Sequence, residues 1–188
     1  GGSLLGWSYR ARATPRQTRQ ASPPFPDAAL RLASWIKEQT TAEDRIFVWG
    51  FNPDIYRYTD RLPASRFVYC TFQTGLIPWT NIDPDIDTSY AIVQGAMDTL
   101  LEDLRANRPR FFVDSSAGLH RHFGKYPLRL FPPLNDWLNQ NYVEIDNQRW
   151  GHQGFRLYIR GDEPVEELTN FDPARLEYEL KIFGNDRI

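Results

Sequence analysis

The chain has 188 residues, 41% of them hydrophobic and 24% charged, with a formal net charge of −2. That length suits one ordinary domain with a single core and is cramped for two. The near-neutral charge leaves no field strong enough to recruit nucleic acid, and no run of 18 or more apolar residues is present to span a bilayer.

Aromatic residues make up 14% of the chain, with six Trp, and fourteen Pro add rigid loops. The single cysteine, Cys70, excludes an internal disulfide framework and any multi-cysteine metal site. It stands in an apolar stretch and reads as a buried, inert thiol.

Residues 1–25 open with an apolar stub, Leu4, Leu5 and Trp7, followed by Arg10, Arg12, Arg16 and Arg19. The arginines follow the apolar part instead of preceding it, so this is no signal peptide. It reads either as a juxtamembrane linker, with Trp7 and Tyr9 at the interface, or as an appended tail. Residues 26–162 form the predicted soluble α/β domain, and 163–188 an acidic C-terminal extension with a helix expected over 173–183.

Within the domain, Ala29, Leu30, Leu32, Ala33 and Ile36 predict a helix from Asp27 to about Gln39. Ile46-Phe47-Val48-Trp49 is too continuously apolar for an exposed strand and suits the centre of a sheet covered on both faces. Gly50 then turns the chain sharply. Pro53 opens a short helix with Asn52 as its expected cap, and Arg66–Cys70 is expected to return as a second strand.

Residues 71–87 are irregular, with Asp83, Asp85 and Asp87, and read as a lid or a mobile surface segment. Ile92, Val93, Ala96, Leu100, Leu101 and Leu104 predict a helix over 88–107. Arg110–Asp114 follows as a third strand ending in a carboxylate, residues 132–140 as a short helix, and Tyr142–Asp146 with Phe155–Arg160 as a hairpin. The expected architecture is a three-layer α/β/α sandwich with a mostly parallel, Rossmann-like sheet and an antiparallel edge hairpin.

No nucleophile elbow, phosphate loop or dinucleotide fingerprint occurs. His120 and His122, two apart, and the distant His152 have no carboxylate at a ligand spacing, so no metal is expected, and no cofactor. Ligands of open α/β sheets collect at strand ends, which singles out Gly50, Asn52, Cys70 and Asp114. Trp49, Tyr56, Tyr58 and Trp79 are candidates to stack on a sugar ring, and Arg61 or Arg66 to pair with a phosphate. The candidate ligand-binding residues are therefore Asn52, Asp54, Tyr56, Arg61, Arg66, Trp79 and Asp114. They would serve a freestanding sugar- or nucleotide-binding module.

One stretch has a more particular wording. Thr40 to Gly50 (TTAEDRIFVWG), Pro53 to Tyr56 (PDIY) and Asp60 to Phe67 (DRLPASRF) resemble the soluble C-terminal domain of bacterial membrane glycosyltransferases similar to the dolichyl-phosphate-mannose protein mannosyltransferases. The likeness spans residues 26–160. It implies a parent whose transmembrane helices take a sugar from a polyprenyl-phosphate donor, with this domain on the extracytoplasmic, periplasmic face, positioning a glycan or protein acceptor or bracing the bundle. The family's catalytic carboxylate is expected in the membrane part, so the resemblance gives no residue here a catalytic role. Its matching positions, Trp49, Gly50, Pro53, Tyr56, Arg61, Pro63, Arg66 and Phe67, are expected to be structural, with Arg66 pairing at the sheet edge. The long acidic tail and the arginines after the stub depart from the family's pattern.

Overall fold

A computed structural model describes residues 25–117, 123–149 and 154–172. The N-terminal linker, His120, His122, His152 and the helix expected over 173–183 lie outside the described residues.

Helix α1 (Phe25–Glu38) leads into strand β1 (Arg45–Trp49), then α2 (Asp54–Thr59) and a two-residue strand β2 (Leu62–Pro63). A four-residue helix α3 (Thr71–Thr74) and a long loop precede α4 (Ala96–Asn107) and β3 (Phe111–Asp114). Helix α5 (Pro132–Asn141), β4 (Tyr142–Ile145) and β5 (Arg156–Arg160) complete the sheet. Its five strands lie in the order β2-β1-β3-β5-β4.

The sheet is mixed. β1 runs parallel to β2 and β3, whereas β5 is antiparallel to both β3 and β4. Half of the pairings are thus antiparallel, although β5 alone runs against the other strands. The expected hairpin is present, with β5 inserted beside β3 and β4 at the edge.

The continuous apolar runs of β1 and β3 have a direct cause, since both faces of the sheet are covered. Ile46, Val48, Phe111, Val113, Leu157 and Ile159 pack with Leu32, Trp35 and Ile36 of α1 and Ile55 of α2. Phe47, Trp49, Phe112, Tyr142 and Tyr158 pack with Leu100 and Leu104 of α4 and Leu134 and Leu138 of α5. The segment after β5 lies on α1: the Trp35 indole N–H donates to Thr169 O at 2.8 Å, and Gln39 Nε2 donates to Thr169 Oγ1 at 2.7 Å.

Some local expectations are overturned. Residues 66–70 form no strand. Beyond the two residues that β2 covers, side chains occupy the outer edge of β1: Val48 N–H donates to Tyr56 Oη at 2.9 Å, Gly50 N–H to Cys70 Sγ at 3.4 Å, and Cys70 Sγ–H to Val48 O at 3.6 Å. With those backbone groups satisfied, a neighbouring strand has nothing to pair with. Arg66 accordingly pairs with Asp103 of α4 and not at the sheet edge.

Asn52 is no side-chain cap either. Pro53 is the N-cap of α2, and Asn52 contributes its backbone carbonyl to Ile55 N–H at 3.2 Å. The long helix begins at Ala96 instead of residue 88, after a single 3₁₀ turn (Ser89–Ala91) and a left-handed Gly95. Ile92 and Val93 are therefore exposed and take no part in its apolar stripe.

Candidate functional site

The chain leaves β1 toward β2 on one side and later crosses to β3 on the other. This reversal lies between the C-terminal ends of β1 and β3, the place where open α/β sheets hold ligands. Gly50 makes the approach feasible. It sits at φ +148°, and a Cβ there would stand 1.7 Å from Ser115 Oγ, so only glycine lets the two strand ends come this close.

Buried polar groups gather at this end. Asn52, Asp114, Ser115 and Ser116 are all under 9% exposed. Asp114 Oδ1 accepts the Ser116 N–H at 2.8 Å, and Ser115 Oγ donates to Trp49 O at 2.8 Å. Asn52 Oδ1 is buried with no hydrogen-bond partner among the described residues.

The antiparallel register sets Asp114 opposite Arg156, and Glu144 opposite Tyr158. By strand alternation all four lie on one face of the sheet. Glu144 Oε1 is 3.8 Å from Arg156 Nε. Beside them a cavity of about 640 Å³ opens at the same end of the sheet, lined by Ala117, Glu144, Asp146, Asn147, Gly154 and Arg156 among others.

Burial raises the Asp114 carboxyl above its ordinary range, opposed by its Ser116 hydrogen bonds and by Arg156, and reinforced by Glu144. Tyr158 is raised by burial first and by Glu144 next. Burial also pushes the Cys70 thiol up to about 12. With its sulfur held among the backbone groups of β1, Cys70 is no nucleophile, and Ser115 Oγ is equally committed to Trp49 O.

Because native Asp114 holds its proton more tightly than the unfolded chain does, its contribution to stability is full below the ordinary carboxylate pKa of about 3.9. It is lost as pH rises through the raised native value. Asp114→Asn keeps an acceptor for Ser116 without the charge. Thermal denaturation of the two proteins as a function of pH should show wild type losing ground to the variant as pH climbs from about 4 toward neutrality. Parallel curves would mean that Asp114 ionises freely.

The other sequence candidates scatter. Tyr56 is buried, and its hydroxyl is committed to Val48; burial raises its pKa. Trp49 is fully buried as well, so neither ring can stack on a sugar. Asp54 is exposed in the first turn of α2.

Arg61 lies at the far end of the sheet, closing the C-terminus of α1. Its guanidinium donates to Thr40 Oγ1 at 2.9 Å, Thr40 O at 2.8 Å and Lys37 O at 3.3 Å. Arg66 is engaged by Asp103 through two hydrogen bonds, of 3.0 and 2.8 Å. Trp79 stands 87% exposed on the loop before α4.

Of the seven, only Asn52 and Asp114 meet at the strand ends. Glu144, Arg156 and Tyr158 were not singled out from sequence. Their alternation within YVEI and RLYIR carried the signal, but which residues face Asp114 depends on a register that no short turn sets.

Among the described residues no group of three His, Cys, Asp or Glu side chains is placed to hold a metal ion, and no helix is long and apolar enough to cross a membrane. Comparison of the chain with protein-family models, with curated proteins and with solved structures finds no match.

Proposed function

We propose that the chain is a non-catalytic, extracytoplasmic domain of a polytopic membrane glycosyltransferase that draws on a polyprenyl-phosphate sugar donor, and that residues 69–93 are the surface on which it meets the membrane part. One observation carries this reading. Tyr69, Phe72, Ile77, Trp79, Ile86, Tyr90, Ile92 and Val93 are all exposed within that one segment, with Trp79 and Tyr90 at 87% and 70%.

The segment is tied down by polar contacts. Lys125 Nζ donates to the carbonyls of Asn81, Asp83 and Ile86 at 3.0, 2.7 and 3.3 Å, and Thr88 Oγ1 donates to Thr74 O at 2.6 Å. Asn81 bridges Ile77 N–H and Gly75 O. Gly75, at φ +71°, allows Thr88 O within 1.9 Å of where a Cβ would stand. A loop held this firmly cannot fold its apolar side chains inward, and apolar surface concentrated in this way fits an apolar partner. Trp and Tyr beside aliphatic side chains suit the boundary of a membrane protein.

Helices on both sheet faces and four strands running one way support a three-layer, Rossmann-like reading of the fold. In this arrangement the domain positions a glycan or protein acceptor, or braces the helix bundle.

The test is a reporter fused after Arg160 in the full-length product of the gene, active only outside the cytoplasm, with Trp79→Cys as an accessible thiol for crosslinking; native Cys70 is buried. An active reporter and a crosslink into the membrane part are expected. A gene product without upstream spans, or an inactive reporter, would overturn the reading.

The buried, unpartnered Asn52 Oδ1 at the strand ends favours a second reading, a sugar- or nucleotide-binding module. A saturable rise in melting temperature with a sugar, sugar phosphate or nucleotide, lost in Asn52→Ala, would support it.

A further inference from the structure

At the end of the sheet opposite Asp114, the C-terminal turns of α4 and α5 border a groove formed by two adjoining cavities of about 450 and 520 Å³. Both cavities share Arg105, Trp137, Gln140 and Asn141. Together they fall in the size range of small-ligand sites. The Trp137 ring is set against Tyr142, with centroids 5.3 Å apart, which holds an indole at the junction of the two cavities.

The polar groups divide into two sets. Arg108 and Arg160 both donate to Asp162, at 2.7 and 2.5 Å, and Arg160 donates to Glu163 as well, so each guanidinium is already paired with a carboxylate. Arg105, Asp136, Gln140 and the Trp137 indole N–H have no hydrogen-bond partner among the described residues. They offer donors and acceptors in comparable number around an aromatic surface.

That mixture distinguishes between ligand classes. A phosphate chiefly accepts, so it would leave Asp136 unmatched and find in Arg105 the one lining arginine not already bonded to a carboxylate among the described residues. The C-terminal ends of two helices also disfavour an anion. A pyranose ring presents an apolar C–H face and hydroxyls that each donate and accept.

We propose that this groove binds a neutral pyranose, with Trp137 against the sugar ring and Arg105, Asp136 and Gln140 taking its hydroxyls. The inference goes beyond the proposed function and does not depend on it, because it concerns a different end of the sheet and the isolated chain suffices to test it.

The experiment follows the tryptophan indole N–H resonances of ¹⁵N-labelled protein, with that of Trp137 assigned by its loss in Trp137→Phe. Methyl α-mannopyranoside, methyl α-glucopyranoside, methyl β-galactopyranoside and inorganic phosphate are titrated separately. At least one pyranoside should shift the Trp137 resonance saturably, with a Kd on the order of 1 mM, while phosphate leaves it in place. Arg105→Ala and Gln140→Ala should each weaken binding about tenfold. Unmoved resonances of the other tryptophans would show that the variants remain folded. Three outcomes would overturn the proposal: no pyranoside moves the Trp137 resonance, phosphate alone moves it, or both variants bind as wild type does.

Discussion

Replacing Trp49 with alanine is expected to lower stability by about 4 kcal/mol, the largest loss from any single change considered. Trp49 ends β1 and is completely buried. Its indole N–H donates to Tyr126 O at 3.0 Å, and its ring meets Phe131 and Phe123 edge-on, with centroids 4.8 and 5.7 Å away. Alanine would remove these contacts, leave a void and strand a buried carbonyl.

Domains of this kind have about 5–15 kcal/mol to lose, so the variant should sit near the edge of folding. Urea denaturation should show a sharply lower midpoint with an unchanged slope. Trp49→Phe keeps an aromatic filler and gives up the hydrogen bond, and should cost about half as much. A Trp49→Ala variant within about 1 kcal/mol of wild type would contradict the packing described.

The second large effect is expected at Asp103, on the inner side of α4. Its carboxylate accepts Ser65 Oγ–H, the Arg66 backbone N–H and Arg66 Nε–H, each at 3.0 Å, and Arg66 Nη2–H at 2.8 Å. This holds the segment after β2 in place of a strand. The Arg66 side chain is two-thirds exposed, at 66%, so the ion pair itself is screened and contributes little.

The cost of Asp103→Ala, about 2–3 kcal/mol, comes instead from the Ser65 hydroxyl and the Arg66 amide left without an acceptor. The hydrogen bonds from Arg66 lower the Asp103 pKa against its burial, with the Arg66 amide and Ser65 assisting. The part of its contribution that depends on ionisation is therefore present above the ordinary carboxylate pKa of about 3.9 and is lost as pH falls through the depressed native value. Urea midpoints measured between neutrality and about pH 3 should draw closer for wild type and variant at the acid end without meeting, because a protonated Asp103 still accepts where alanine cannot. A constant gap would place the effect elsewhere.

How much of this could be read from the residues depended on how local each cause was. The α1 stripe, β1, β3, α5 and both strands of the hairpin follow from periodicity within a single segment. Arg66–Cys70 has the composition of a strand, yet the edge it would have joined is occupied by Tyr56 and Cys70 themselves. Ile92 and Val93 keep helical spacing with Ala96 but are cut off by the left-handed turn at Gly95.

The candidate site was half legible. Asn52 and Asp114 stand where strand-end reasoning puts them, whereas Glu144 and Arg156 reach that end through antiparallel pairing across the sheet. Arg61 and Arg66 look alike as candidate phosphate ligands until their partners, the C-terminus of α1 and Asp103, come into view.

By itself, then, the sequence determined the α/β class, the doubly covered central strands and the sharp turn at Gly50, because each rests on side-chain character within a few neighbouring residues. Tertiary structure alone decided the register of β5 between β3 and β4, the truncation of β2 and the outward set of the 69–93 segment. Only it could bring Arg105, Asp136, Trp137 and Gln140 together on one groove. Those features arise when distant backbone groups compete for the same hydrogen-bond partners, and that competition is settled only when the whole sheet is assembled.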